Sequence, residues 1–571
     1  MPLARRLTAL KLLVLFPCLL ALGCKSQEIS PAAPTPTPVL NAETVADRLR
    51  SLATGGELSD LRWPDYRNYV QRIQELYAIT NYSPVWSRDG EPTRQALGVI
   101  AALESSQQKG LLPQDYDASL WPSHIAALHG APSNADTVAR FDMALTVSAM
   151  RYISDLHIGR VNPAQFKFDL DINHRTYDLV QFLSQRVLIA PGDMQAVLNE
   201  AEPQFDGYRR TEIALQHYLT FEAMDPGKPL PQVIKTLEPG DYYAGIAQLA
   251  QRLRLVGDLP PEAIVDTDTG IYDGAIVDAV KHYQVRHGLG GDGRLGKQTL
   301  QQLNIPLNFR VTQLEDALER WRWLPHDFPQ PPIAVNIPEF VLRAFTKDRK
   351  VALRMNVVVG KAVRHQTPVF AQDMKYIVFR PYWNVPLSIT RAEILPSIRK
   401  DRNYLARKDF EVTDLSGRLV TSGPVTQDQM AQMRSGKLLV RQKPGPTNSL
   451  GLVKFLFPNT HSVYLHDTPA PQLFAQSRRD FSHGCVRVEK PLELATWLLR
   501  DQPEWTETSI RQAMESGPDN RQVDLTKPVP VLIVYLTAVV EQNGEVHFFD
   551  DIYGHDRSLN AVLAKGRPYA N

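Results

Sequence analysis

The sequence predicts a multidomain α+β protein: a helical N-terminal scaffold, a small three-helix unit, and a β-rich C-terminal domain interrupted by a capping insertion. Three observations carry that expectation. As far as about Pro229, apolar residues recur at helical spacing, as Leu145, Ala149, Tyr152 and Leu156 do. Between about Tyr242 and Ile305, three short helical stripes surround one glycine-rich connection. From Pro331, short runs rich in β-branched and aromatic residues, broken by Gly and Pro, replace the helical pattern. A chain of 571 residues has room for several cores. Its 63 basic and 62 acidic residues nearly cancel, which argues against nucleic acid as a main partner.

Taken in order, Arg5, Arg6 and Lys11 precede an apolar run from Leu12 to Leu22 that is shorter than the ~20 residues needed to span a bilayer. Residues 1–23 therefore read as a signal peptide. Its end, Leu20-Ala21-Leu22-Gly23-Cys24, resembles a bacterial lipoprotein signal, which implies lipidation of Cys24; a cleaved soluble form and an uncleaved anchor are the alternatives. By the same likeness, Lys25 favours the outer membrane, placing an exported protein at the periplasmic face of a Gram-negative envelope. Residues 24–40 contain the prolines from Pro31 to Pro38, which favour an extended, semi-rigid spacer.

The helical scaffold is expected over 41–235. Within it one helix is predicted over 141–156, stopped by Gly159 with Pro163 beyond, and Tyr82 and Trp86 read as core. The unit at 240–306 has stripes at Ile246, Leu249 and Leu253, at Ile276, Val280, Tyr283 and His287, and at Leu300 and Leu303. Its connection Gly288–Gly296 lacks the Gly-Lys-Ser/Thr ending and the preceding strand of a phosphate loop. The segment from Ala279 to Leu289, with Asp292-Gly-Arg-Leu-Gly296 and Thr299-Leu300, closely resembles the three-helix peptidoglycan-binding domain. That likeness implies binding or positioning near the cell wall; a unit kept for packing only is the bland alternative. Residues 307–330 are read as a connecting segment whose short amphipathic helix, Glu315–Leu324, ends at Pro325.

The C-terminal domain is expected over 331–556, with strands near 333–337, 340–345, 354–359 and 376–379. Val531–Val540 and Val546–Phe549 read as a closing hairpin turning at Asn543-Gly544. Residues 388–445 depart from strand texture and read as a lid or cap, with a plain surface excursion as the alternative. Residues 557–571 read as a C-terminal tail.

The candidate chemistry lies between His461 and Arg487. The chain has three cysteines, and Cys18 and Cys24 fall in the targeting segment, so Cys485 stands alone in the folded body as a candidate nucleophile. As a strand, His461–His466 would put Tyr464 and His466 on one face. His466 is the candidate proton donor and acceptor, expected to lower the thiol pKa of Cys485; His483 is the rival base, expected instead to shape the turn implied by Gly484. Backbone N–H groups beside Gly484 and Cys485 would stabilise an oxyanion, and Arg487 would hold a substrate carboxylate or carbonyl. Zinc is disfavoured because neither a Cys-x₂₋₄-Cys nor a His-x₃-His spacing is present.

His466 followed by Ser482-His-Gly-Cys-Val-Arg487 resembles the active-site signature of the L,D-transpeptidases, the YkuD-type domain. With Arg320-Trp-Arg-Trp-Leu-Pro325, Pro381-Tyr-Trp-Asn-Val-Pro386 and Tyr464-Leu-His-Asp-Thr-Pro469 in order, nearly the whole mature chain resembles the large, YcbB-like branch. The resemblance implies a cofactor-free, cysteine-dependent acyl transfer in cell-wall biogenesis, joining meso-diaminopimelate residues of peptidoglycan stem peptides with release of D-alanine. It also implies a substrate pocket lined by Tyr464, Ser482, His483, Trp383 and Asn384, and acylation of Cys485 by carbapenems. Expected partners are stem peptides, a membrane through the lipid anchor, and other wall synthases. An L,D-carboxypeptidase or a protein-to-peptidoglycan ligase would use the same residues, and a non-catalytic wall-binding protein is the third reading.

Overall fold

The helical periodicity of the N-terminal half and the β-branched runs of the C-terminal half fold into separate cores joined by one buried helix. The computed structural model describes residues 43–170 and 177–569. The signal, most of the spacer and the Cys24 lipidation site lie outside the described residues.

The scaffold opens with α1 (Val45–Gly55), capped by a reciprocal Thr44–Asp47 box. Its axis is α2 (Ala135–Ile158), which begins at an Asn134 cap and stops at Gly159. This helix is longer than the predicted 141–156 because it is buried along most of its length. Two of its buried polar residues meet partners from the surrounding chain: Asp142 accepts from Tyr77 Oη at 2.7 Å and from Trp86 N at 2.8 Å, and Trp86 Nε1 donates to Thr146 at 2.9 Å. Trp86 is core, as expected; Tyr82 is half-buried and stacks on Tyr77. The scaffold also includes α3 (Asp206–Met224).

The three-helix unit consists of α4 (Ile246–Leu255), α5 (Ala275–Arg286) and α6 (Lys297–Leu303), with the predicted stripes inside. Its glycine-rich connection is organised by Gln284. The side-chain amide donates to Asp292, Arg294 O and Thr299 and accepts from Gly293 N, so the loop's polar groups are turned inward.

The connecting helix α7 (Leu307–Arg322) begins earlier than expected, and it is not amphipathic. Arg310, Gln313, Asp316, Glu319, Arg320 and Arg322 are all buried, each against a different neighbour. Arg310 reaches Gln302 of α6, and Gln313 reaches the carbonyl of Phe549. Glu319 accepts from Arg160 N at 2.6 Å, Val161 N at 3.1 Å and Arg160 Nε at 3.2 Å, and Arg322 bonds Lys109 O and Tyr208. Gly159 is needed at this contact, because a Cβ there would stand 2.7 Å from a Glu319 oxygen.

The C-terminal domain is a closed sheet. Its strands are β1 (Ile333–Asn336), β2 (Val341–Phe345), β3 (Val351–Gly360), β4 (Phe370–Phe379), β5 (Val453–Leu456), β6 (Leu465–His466), β7 (Asp480–Ser482), β8 (Val486–Val488) and β9 (Arg521–Val534). Around the ring the order is β3, β8, β6, β5, β4, β9, β1, β2 and back to β3, with β7 added parallel to β3. Val335, Leu342, Val357, Phe370, Phe455, Leu465, Val486 and Ile533 fill the interior.

Three expectations change here. Val531–Val540 is not one strand: β9 starts at Arg521 and ends at Val534, where Asn336 captures Leu536 N and Asp556 captures the Thr537 hydroxyl. A separate hairpin then pairs Ala538–Val540 with Val546–Phe548 around the predicted Asn543-Gly544 turn. The insertion between β4 and β5 has its own four-stranded sheet, from Trp383–Asn384 to Leu439–Gln442, and its own core around Leu395, Phe410, Val412 and Met433. Its strands are too short to announce themselves in sequence. Of the expected tail 557–571, the described residues 557–569 are not free: the helix α8 (His555–Leu563) includes the first of them, and Arg567 and Tyr569 then pair with Asp155 and Asp115 of the scaffold.

Removing the Glu319 charge tests this junction. Glu319→Gln strands the buried Arg160 guanidinium and is expected to cost about 3–5 kcal/mol, read as a lower urea midpoint; an unchanged midpoint would remove α7 as the joint.

Candidate active site

The site follows from the register of two short parallel strands. Leu465 lies opposite Val486 and His466 opposite Arg487, and Val486 N donates to Tyr464 O at 3.1 Å, which sets Tyr464 beside Cys485. Because side chains alternate between faces, Leu465 and Val486 enter the core while Tyr464, His466, Cys485 and Arg487 share the other face. The Tyr464 and His466 rings are 5.8 Å apart, as the alternation predicted. The strand is shorter than 461–466 because Asn459 intervenes: its Oδ1 accepts from His461 N and Val463 N, and Ser462 adopts a φ of 56°.

His466 is buried and held in one tautomer. Nδ1 donates to Asp467 O at 2.6 Å, leaving the Nε2 lone pair free to take a proton. Asp467 is itself fixed by Leu452 N at 2.8 Å and Thr468 N at 2.7 Å. Burial and the nearby Arg487 charge push the His466 pKa down to about 3. The Cys485 thiol is half-buried and directed at Ser462 O, 3.8 Å away; burial pushes its pKa up, with Tyr464 and Arg487 opposing. This corrects the expectation of a histidine-lowered thiol: a neutral imidazole offers no charge to stabilise a thiolate, so the resting pair is thiol and imidazole. Arg487 has a buried Nε without a hydrogen-bond partner among the described residues.

The cysteine loop is held by residues other than those expected. Gly484 has a φ of 120°, and a Cβ would meet nothing nearer than Gln366 O at 3.9 Å, so glycine is required by conformation rather than by space. Buried Ser482 accepts from Gly484 N at 3.1 Å and donates to Cys485 O at 2.6 Å. Thr367 donates to Gly484 O at 2.8 Å. His483 does not shape the turn. It is exposed, and its Nε2 lies 2.6 Å from Glu393 of the cap, with His365 at 5.0 Å ring to ring.

Tyr464, His466, Ser482, His483, Gly484, Cys485 and Arg487 are thus brought together. Trp383 and Asn384 lie on the cap's first strand, opposite Gln442 and Arg441; Trp383 packs 6.0 Å from Phe410 and Asn384 is exposed. Sequence reasoning missed Thr367, Glu393 and the Asn459 and Asp467 clamps. The two clamps carry a local signal, since an Asn or Asp at a loop or strand end commonly bonds nearby backbone; the other two are remote in sequence and carry none.

A closed sheet presenting cysteine, histidine and arginine on one face agrees with three matches to known families. Residues 331–530 match the L,D-transpeptidase catalytic domain (YkuD), residues 71–215 a scaffold domain, and residues 243–303 the domain described as "putative peptidoglycan binding domain". The chain therefore carries a YkuD-family L,D-transpeptidase catalytic domain joined to scaffold and peptidoglycan-binding domains. It is similar to a Haemophilus influenzae protein named "Putative L,D-transpeptidase", with 35% identity over 277 residues. That match covers 48% of this chain and 55% of the relative, so the chain spans about half the length of the curated relative it matches.

The neutral resting pair sets the pH dependence. Alkylation of Cys485 by iodoacetamide, followed by peptide mass spectrometry, is expected to rise continuously above pH 8, since the thiol pKa is raised and the thiolate is the reacting form. A reactive plateau between pH 5 and 7 would instead reveal a thiolate–imidazolium pair.

Proposed function

We propose that the protein is a murein L,D-transpeptidase acting through a cysteine acyl-enzyme. The supporting observation is the shared face of Cys485, His466 and Arg487, with His466 Nε2 unprotonated. Cys485 Sγ attacks the carbonyl of the meso-diaminopimelate residue at the third position of a donor stem and passes its proton to His466 Nε2. Collapse of the tetrahedral intermediate breaks the C–N bond to the terminal D-alanine, which leaves with that proton. The side-chain amine of diaminopimelate on a second stem then gives a proton to His466 and attacks the thioester. The thiol is expelled and reprotonated, and the third residues of two stems are joined.

Arg487 would take a carboxylate of the donor, a reading supported by its unpaired Nε, and Tyr464, beside Cys485, would form the wall of the site. The cap, tied to the cysteine loop through Glu393 and His483, covers the approach and selects the acceptor. Lipidation at Cys24 and the proline spacer would hold this body at the periplasmic face of the outer membrane, within reach of the wall and of other wall synthases.

Incubation with purified tetrapeptide muropeptides, followed by mass spectrometry, tests the reading. Dimers lacking one D-alanine, absent with Cys485→Ala and reduced by about 10²-fold or more with His466→Ala, are the expected result. Tripeptides alone would make the protein an L,D-carboxypeptidase, and neither product nor a carbapenem adduct would leave a wall-binding protein.

A further inference from the structure

We propose that Thr367 and Tyr553 are positioning residues that aim the Cys485 amide at the oxyanion of the tetrahedral intermediate. The inference rests on the reading of Cys485 as the acylated nucleophile.

Gly484 N–H is taken by Ser482 Oγ and Val486 N–H by Tyr464 O, whereas Cys485 N–H has no acceptor among the described residues. In a planar trans peptide the carbonyl of Gly484 and the N–H of Cys485 point in opposite directions. Whatever fixes that carbonyl therefore fixes the direction of the free N–H. The group that does so is Thr367 Oγ1, at 2.8 Å.

A hydroxyl has one proton to give, and the surroundings direct it. Thr367 Oγ1 accepts from Gly360 N at 2.8 Å, so its own proton is committed to Gly484 O. Tyr553 secures both ends of this arrangement, donating to Gly360 O at 2.5 Å and accepting from Thr367 N at 3.2 Å. Thr367 is fully buried, and Gly360 must be glycine, because a Cβ there would stand 1.9 Å from His365 O. Gly484 supplies the need for the clamp: without a Cβ, and at a φ of 120°, its peptide has little intrinsic resistance to rotation. Losing the Thr367 hydroxyl would release the carbonyl and let the Cys485 N–H turn away from the reacting centre.

The test separates nucleophile from oxyanion support. Thr367→Val, Thr367→Ser and Tyr553→Phe are made in the full chain, and D-alanine release from tetrapeptide muropeptide is measured beside iodoacetamide alkylation of Cys485. Alkylation passes through no oxyanion. Thr367→Val is expected to lower kcat by about 10²–10³-fold, the effect of losing one oxyanion donor, with KM and alkylation rate nearly unchanged. Thr367→Ser should restore most of the activity, and Tyr553→Phe should show the same split with a smaller fall.

An unchanged kcat in Thr367→Val, a parallel fall in alkylation, or failure of serine to rescue would overturn the proposal. If Thr367→Val does not fold, Tyr553→Phe decides by the same two rates. A wild-type enzyme that is alkylated but never acylated would overturn the acyl-enzyme reading itself, and the positioning role with it.

Discussion

The structure depends on a helix that buries its charges. A carboxylate or guanidinium removed from water costs several kcal/mol unless it is paired and hydrogen-bonded. Along α7 those partners come from three different parts of the chain: Arg160, Lys109 and Tyr208 from the scaffold, Gln302 from the three-helix unit, and Asp556 and Asn560 from α8. Arg320 meets Asp556 at 2.5 Å, and Asn560 donates to Asp316 at 2.8 Å. An apolar α7 would tolerate sliding against its neighbours, whereas these pairings form in one docking arrangement.

That constraint extends to the site. Asn336, at the end of β1, holds Leu536 beyond the end of β9, and Thr537 is held by Asp556, the α7 partner. Tyr553, which reaches under the cysteine loop, lies two residues before α8 begins. The same C-terminal stretch therefore serves both the helix that joins the domains and the turn that presents Cys485. The barrel interior is closed and apolar, so the chemistry has to be placed at strand ends. There β6 and β8 need only two or three paired residues to fix four side chains on one face.

The legible parts of the sequence were those in which one short-range pattern decides the outcome. Stripes at period 3.6 gave the helices of the three-helix unit, and Tyr464 and His466 shared a face because alternation requires it. The less legible parts rest on partners distant along the chain. The charges of α7 looked like a solvent face until Arg160 and Asp556 were placed against them, more than 150 positions away. The residues after Leu563 looked like a tail because Arg567 and Tyr569 find Asp155 and Asp115 more than 400 positions upstream. His483, adjacent to the loop glycine, was expected to form the turn; the residue before it, Ser482, does so, because its short hydroxyl reaches Gly484 N and Cys485 O while the imidazole extends to the cap.

The same distinction bears on the protonation of Cys485 and His466. A cysteine and a histidine in sequence suggest an ion pair, but burial acts on both in one direction, lifting the thiol and depressing the imidazole. A resting thiol is a poor nucleophile, and for the same reason it reacts slowly with oxidants, which attack the thiolate. Among the described residues Cys485 is the free cysteine. In the proposed reaction, proton transfer to His466 would then occur with the substrate in place, where the loop amide would offset the charge that sulfur passes to oxygen. On that proposal, catalytic power would lie in the fixed dipoles of the loop rather than in a standing thiolate, and the rigidity that the buried polar contacts impose on that loop would be part of the reaction.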